Sequence, residues 1–215
     1  MTSATPTDGV IASLARQAGA GRLRRPRAFK AILVFATLAS LAISVALVLA
    51  VDGVRPDFAG AIHRAPCAYK IASMAALGLG GMVLASRSAL PSSGRLTLLP
   101  LLPAVLLLAF RAATDRSGLS IMGNSDISVH ECVLTILGVS LPPLAILLGV
   151  MRIGAPTRPA LAGAIAGSLS GALGAVAYCL ACKNDAGLFV ATWYPLAILA
   201  LAVLGAAIGR RTLAW

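Results

Sequence analysis

The sequence predicts an all-α integral membrane protein: a bundle of six transmembrane helices with both termini on the cytoplasmic side. Composition is the first reason. Of 215 residues 59% are hydrophobic and 12% charged, too apolar to clothe a water-soluble core in a polar surface. The second reason is six apolar runs, about Ala31–Val51, Cys67–Ser86, Leu96–Phe110, Val133–Met151, Ala160–Leu180 and Val190–Ile208, most near the ~20 residues that a helix needs to span a bilayer. The third is charge placement. Twelve of the eighteen Lys and Arg residues fall in the N-terminal segment, around Arg87 and Arg95, at Arg152 and Arg158, and at Arg210 and Arg211. With six crossings, these segments share one side. The other side holds Arg55, Arg64, Lys70, Arg111, Arg116 and Lys183. This bias orients the chain N-in and C-in, so the net charge of +11 reflects topology and not a nucleic-acid surface.

Residues 1–27 form a cytoplasmic N-terminal segment and 28–215 the transmembrane domain. Thr7 and Asp8 can cap a short helix through Ala18, with Val10, Ile11, Leu14, Ala15 and Ala18 along one stripe. A helix of about 11 residues is marginal in water and needs a partner; the alternative is a disordered tail whose arginines touch anionic lipid. The first apolar run is longer than a signal-peptide core, and cleavage after Ala50 would spoil the charge asymmetry. Asp52–Pro66 makes the first outer loop, with Arg55-Pro56-Asp57 and a solvated His63. Lys70 lies one turn into the second helix, close enough to the interface to snorkel outward. Pro100 and Pro103 interrupt the third run and Pro142-Pro143 the fourth, where neighbouring helices must satisfy the freed carbonyls. Gly163, Gly167 and Gly171 line one face of the fifth helix as a packing seam. Trp193-Tyr194 anchors the last helix at the outer interface, with Pro195 in its first turn.

No acid or histidine interrupts an apolar run, and no phosphate loop, HExxH or serine-hydrolase pattern is present. These features weigh against a transporter and against an enzyme. The four cysteines, Cys67, Cys132, Cys179 and Cys182, all lie at outward helix ends. Cys132 opens one crossing and Cys182 closes the next, so a separation of 50 positions collapses to neighbouring points on one membrane face. Three readings stand: thiol oxidation in a disulfide-permissive compartment, capture of a soft metal such as Zn or Cd by Cys132 and Cys182 with His130 and Glu131, or inert packing. Cys179 and Cys182 also form a CxxC pair, which would serve a membrane thiol–disulfide oxidoreductase.

Asp8-Gly9-Val10-Ile11-Ala12-Ser13-Leu14-Ala15, Arg55-Pro56-Asp57 with Lys70, Cys132 before Ser140-Leu141-Pro142-Pro143, Ala155-Pro156-Thr157-Arg158-Pro159, and Cys182 before Phe189 and Trp193-Tyr194 occur in one chain. Together they resemble the NrsF-like membrane anti-sigma factors, regulators of extracytoplasmic-function sigma factors, over nearly the whole length. The resemblance implies an inner-membrane protein that holds a sigma factor through Asp8, Val10, Ile11 and Leu14. It implies release when Cys132 and Cys182, facing the periplasm, meet heavy metal or oxidant, with Cys67, Cys179 and His130 as accessories. It implies no cofactor beyond a transient soft metal ion and no direct contact with nucleic acid. Two departures stand out: Ala181 replaces an expected histidine beside Cys182, and Gly19 to Gly21 replaces a more rigid segment.

Overall fold

A computed structural model describes residues 7, 9–11, 13, 26–89, 97–119, 121–123 and 129–214. Among these residues all regular structure is helical. The elements are α1 (Pro26–Val51), α2 (Phe58–Ala61), α3 (Ala65–Ser88), a 3-10 turn (Leu99–Leu101), α4 (Leu102–Ala113), α5 (Val129–Gly154), α6 (Pro159–Tyr178) and α7 (Gly187–Thr212). Helices α3, α5, α6 and α7, and α1 over Ala28–Val51, are long and apolar enough to cross a membrane. The sixth apolar stretch, Leu99–Ala113, is shorter. Pro100 sits in its 3-10 turn and Pro103 in the first turn of α4. The prolines therefore start this helix instead of kinking a longer one, because Pro lacks the N–H that an interior turn requires.

Helix ends follow local chemistry. Asp52 and Gly53 both donate N–H to Val48 O, at 2.9 and 3.1 Å, and Gly53 takes φ +71, so α1 stops where glycine permits a left-handed turn. In α5 the two prolines leave carbonyls unpaired one turn back, and the Val139 carbonyl facing Pro143 accepts a 3.1 Å hydrogen bond from Ser44 Oγ of α1. The neighbouring-helix rescue expected from the sequence is thus made by a fully buried serine. Helix α7 begins at Gly187, earlier than the apolar run, so Pro195 lies inside the helix and not in its first turn. The extended backbone of Ala186 sets that earlier start.

Helix α6 is the centre of the bundle. Gly163 and Gly167 lie against the backbone of Gly205 and Leu201 in α7, and Gly171 against Ile198. Missing side chains let the two backbones touch, which is how helices gain packing energy where no hydrophobic force separates them from lipid. The seam is two-sided: Gly205 and Gly209 of α7 meet α6 in the same way. On another face Gly174 packs against Ser140 of α5.

Two clusters fill the core. One, at the end where α1 begins, joins Phe29, Ala89, Met151 and Leu213. The other joins Val48, Met74, Cys132, Cys179, Cys182, Phe189 and Tyr194. The bundle exterior between the two ends carries Phe35, Leu38, Leu79, Val105, Leu199 and Val203, all exposed. Apolar side chains facing outward along the bundle are what a lipid solvent requires.

Candidate site: a thiol pair within a buried ion network

The second cluster is capped by the 179–186 loop between α6 and α7. Cys179 ends α6, its N–H bonding Ala175 O and Val176 O at 3.2 Å and its thiol donating to Ala175 O at 3.2 Å. Cys182 is held by its N–H on Tyr178 O at 2.9 Å. All four cysteines are free thiols and all are buried. Cys182, whose thiol donates to Asn184 O at 3.7 Å, shares this buried cluster with Cys132 of α5, so the two chain positions singled out by topology do meet.

Two cations bind this loop from elements far away in sequence. Arg55 N–H donates to Leu180 O at 3.0 Å. Its guanidinium forms a fork on Asp57, at 2.7 and 3.0 Å, and its third nitrogen reaches Cys182 O at 3.1 Å and Asp185 Oδ2 at 2.9 Å. Lys70 Nζ donates to Cys182 O at 3.0 Å and Asn184 O at 3.2 Å. It also pairs with Asp185 Oδ1 at 2.6 Å, a charge contact whose angle lies outside hydrogen-bond geometry. Lys70 is 2% exposed. The expected outward snorkelling is therefore corrected: with backbone carbonyls and an aspartate supplied inside, the ammonium is satisfied without water.

Electrostatics separate the two cysteines of the CxxC pair. Burial pushes the Cys179 thiol up to about 12, so it stays protonated. Cys182 moves the other way: the adjacent Cys132 thiol is the main cause, burial opposes it, and the Lys70 ammonium and Tyr194 hydroxyl add to the lowering. The Tyr194 hydroxyl is fully buried in the same cluster as Cys182 and has no hydrogen-bond partner among the described residues. At the rim, burial raises the Asp115 carboxyl, but Leu188 N–H at 2.9 Å, Ser117 and Arg111 outweigh it and hold the group below the usual carboxylate range. Gly123, at φ +76, closes over Asn184, where any Cβ would collide with the amide. Trp193 Nε1 donates to Ile121 O at 2.9 Å, fastening the same loop.

His130 and Glu131, in the same first turn of α5 as Cys132, are exposed, and among the described residues no three His, Cys, Asp or Glu groups converge as a metal site. Cys67 is buried in the first turn of α3 within the field of Lys70, Arg55 and Asp185. In the N-terminal segment Val10 and Ile11 are helical and more than half exposed, at 56% and 59%; Asp8 and Leu14 lie outside the described residues. Sequence reasoning missed Arg55, Lys70 and Asp185 as a unit. The available signal was a lysine inside an apolar helix, which is costly unless something inside the protein answers it.

The family profile described as "NrsF: Negative regulator of sigma F" matches residues 14–215. The chain belongs to the NrsF family. The "Anti-sigma-F factor NrsF" of Caulobacter vibrioides is 34% identical over 219 residues, covering 97% of this chain and 99% of that protein. The "Probable anti-sigma-F factor NrsF" of Azospira oryzae is 44% identical over 85 residues, 40% of each chain. No solved structure matches. The role described for the NrsF family is a regulatory one.

Proposed function

We propose that this NrsF protein is an inner-membrane anti-sigma factor with six crossings and both termini in the cytoplasm. Residues 1–27 hold an extracytoplasmic-function sigma factor through the stripe containing Asp8, Val10, Ile11 and Leu14. Reaction of Cys132 and Cys182 with an oxidant or a thiophilic metal ion on the periplasmic side releases it. One observation supports this reading above others: the paired thiols lie in the cluster opposite the one containing Phe29, at the start of α1. A disulfide or a bridging ion would pull α5 and the 179–186 loop together. Because α6 and α7 touch backbone to backbone, that displacement passes down the seam as a shift of packed helices and not as local give. A coupling of about 1–3 kcal/mol suffices to change sigma affinity 5–150-fold.

Two adjacent thiols suit a soft ion in two-coordinate fashion, and this set does not complete the four-ligand shell of structural zinc. The rival oxidoreductase reading needs Cys179 as a reactive partner, and burial, which holds its thiol protonated, works against that.

The test is co-purification from detergent extracts with a small sigma factor. The full chain and its Cys179→Ser variant are expected to retain the sigma factor, and a chain lacking residues 1–20 to lose it. Retention by the truncated chain would overturn the assignment of the tail.

A further inference from the structure

The two thiols are not equivalent in their surroundings. Cys182 lies in a loop whose backbone carbonyls at positions 182 and 184 are gripped by the Lys70 ammonium, and Arg55 holds the same Cys182 carbonyl. Both cations are nearly water-free, with side chains 1% and 4% exposed; the one mostly buried carboxylate that answers them is Asp185, 21% exposed, while Asp57, which takes the guanidinium fork, is 45% exposed. The interior therefore holds more unscreened positive than negative charge, and in a medium from which water is excluded an anion nearby is stabilised far more than in solvent. Lys70 spends its hydrogen bonds on carbonyls, so it acts on the sulfur through its field. A second, independent observation points to the same atom. Tyr194 Oη is fully buried in the same cluster as Cys182 and has no hydrogen-bond partner among the described residues, and a negatively charged sulfur turned toward it would supply one.

Cys132 has a different environment. It sits in the first turn of α5, where the helix start offers about half an elementary charge, and Glu131, exposed beside it, supplies the opposite sign. A buried full charge with a waiting hydroxyl outweighs that terminus.

We infer that Cys182 is the sulfur that attacks an oxidant first and Cys132 the one that resolves, with Lys70 and Tyr194 as the positioning residues that select it. This rests on the reading of the pair as an oxidant sensor. With a peroxide, the Cys182 thiolate attacks one oxygen, the O–O bond breaks, hydroxide leaves, and Cys182 becomes a sulfenic acid. The Cys132 sulfur then attacks the Cys182 sulfur, and the hydroxyl departs as water with the Cys132 proton. The two thiols lose two electrons and two protons in total, and hydrogen peroxide ends as two waters.

The experiment treats the reduced full chain in detergent with dilute hydrogen peroxide and dimedone, and reads sulfenic acid by peptide mass spectrometry. Cys132→Ser and Cys182→Ser each leave one sulfur of the pair, and because the two share one buried pocket, any opening needed for access largely cancels in their ratio. Cys182 is expected to be trapped at least about ten-fold faster than Cys132. Lys70→Met is expected to bring the ratio near unity, and Tyr194→Phe to reduce it partway. A purely structural role would slow or speed both sulfurs and leave their ratio alone. Equal or reversed trapping in the chain with native Lys70 and Tyr194 overturns the inference, as does a ratio unmoved by both substitutions; should Lys70→Met fail to fold, Tyr194→Phe decides. No sigma factor enters this assay. A Cys182 preference without oxidant-induced sigma release would remove the proposed function alone, and equal trapping with release intact would remove this inference alone.

Discussion

Arg55→Ala is expected to destabilise the bundle by about 3–5 kcal/mol, the usual cost of removing one partner from a buried ion pair. The side chain supplies four hydrogen bonds, two to Asp57, one to Asp185 and one to Cys182 O, and its removal leaves Asp185 to Lys70 alone. The first loop then loses its side-chain hold on the 179–186 loop, since only Arg55 N–H to Leu180 O would remain. Thermal unfolding in detergent measures the loss, and a second readout is faster alkylation of Cys182 as its cover loosens. Arg64→Ala is the control. Its side chain is 66% exposed and lies 4.0 Å from Asp57, so its removal should change stability by less than about 1 kcal/mol. Equal effects of the two substitutions would show that burial of Arg55 contributes nothing.

Gly167→Val is expected to be comparably damaging for a steric reason. Any Cβ at this position meets the Leu201 carbonyl, with Leu201 C at 2.8 Å and Ala202 Cα at 2.9 Å. These are backbone atoms of α7 and cannot swing aside, so the helices must part. Overpacking of this kind costs about 1–3 kcal/mol or more, and here it also opens the path by which movement at the thiols would reach the opposite end. The expected result is a lower unfolding temperature together with weaker release of sigma factor by oxidant. Gly149→Ala in α5, where a Cβ meets nothing within 4 Å, should be neutral or stabilising by up to about 1 kcal/mol, the propensity gain of Ala over Gly.

Much of this architecture is legible in the chain because a bilayer is a demanding solvent. Long apolar runs, the spacing of Gly163, Gly167 and Gly171, and thiols at matching ends of consecutive crossings are one-dimensional signals of three-dimensional neighbours. What was illegible depended on partners distant in sequence. Lys70 reads as a snorkelling residue because apolar surroundings give it no local partner; its carbonyls and its aspartate come from the loop at 182–185, more than 100 positions away. Arg55 is unreadable for the same reason. Pro195 looked like a first-turn proline because hydropathy starts the last helix at Val190, whereas the backbone turns helical at Gly187, a boundary set by loop geometry. In the third run, Pro100 and Pro103 were visible, but whether they kink a helix or begin one depends on the backbone preceding them.

The most direct test of the account is release of sigma factor from intact cells by a thiol reagent that cannot cross the membrane. Co-purified sigma factor is measured before and after exposure, for the native chain and for the Cys132→Ser, Cys182→Ser double variant. The account predicts loss of sigma factor from the native chain and retention by the double variant. Retention by both, or equal loss from both, would contradict it.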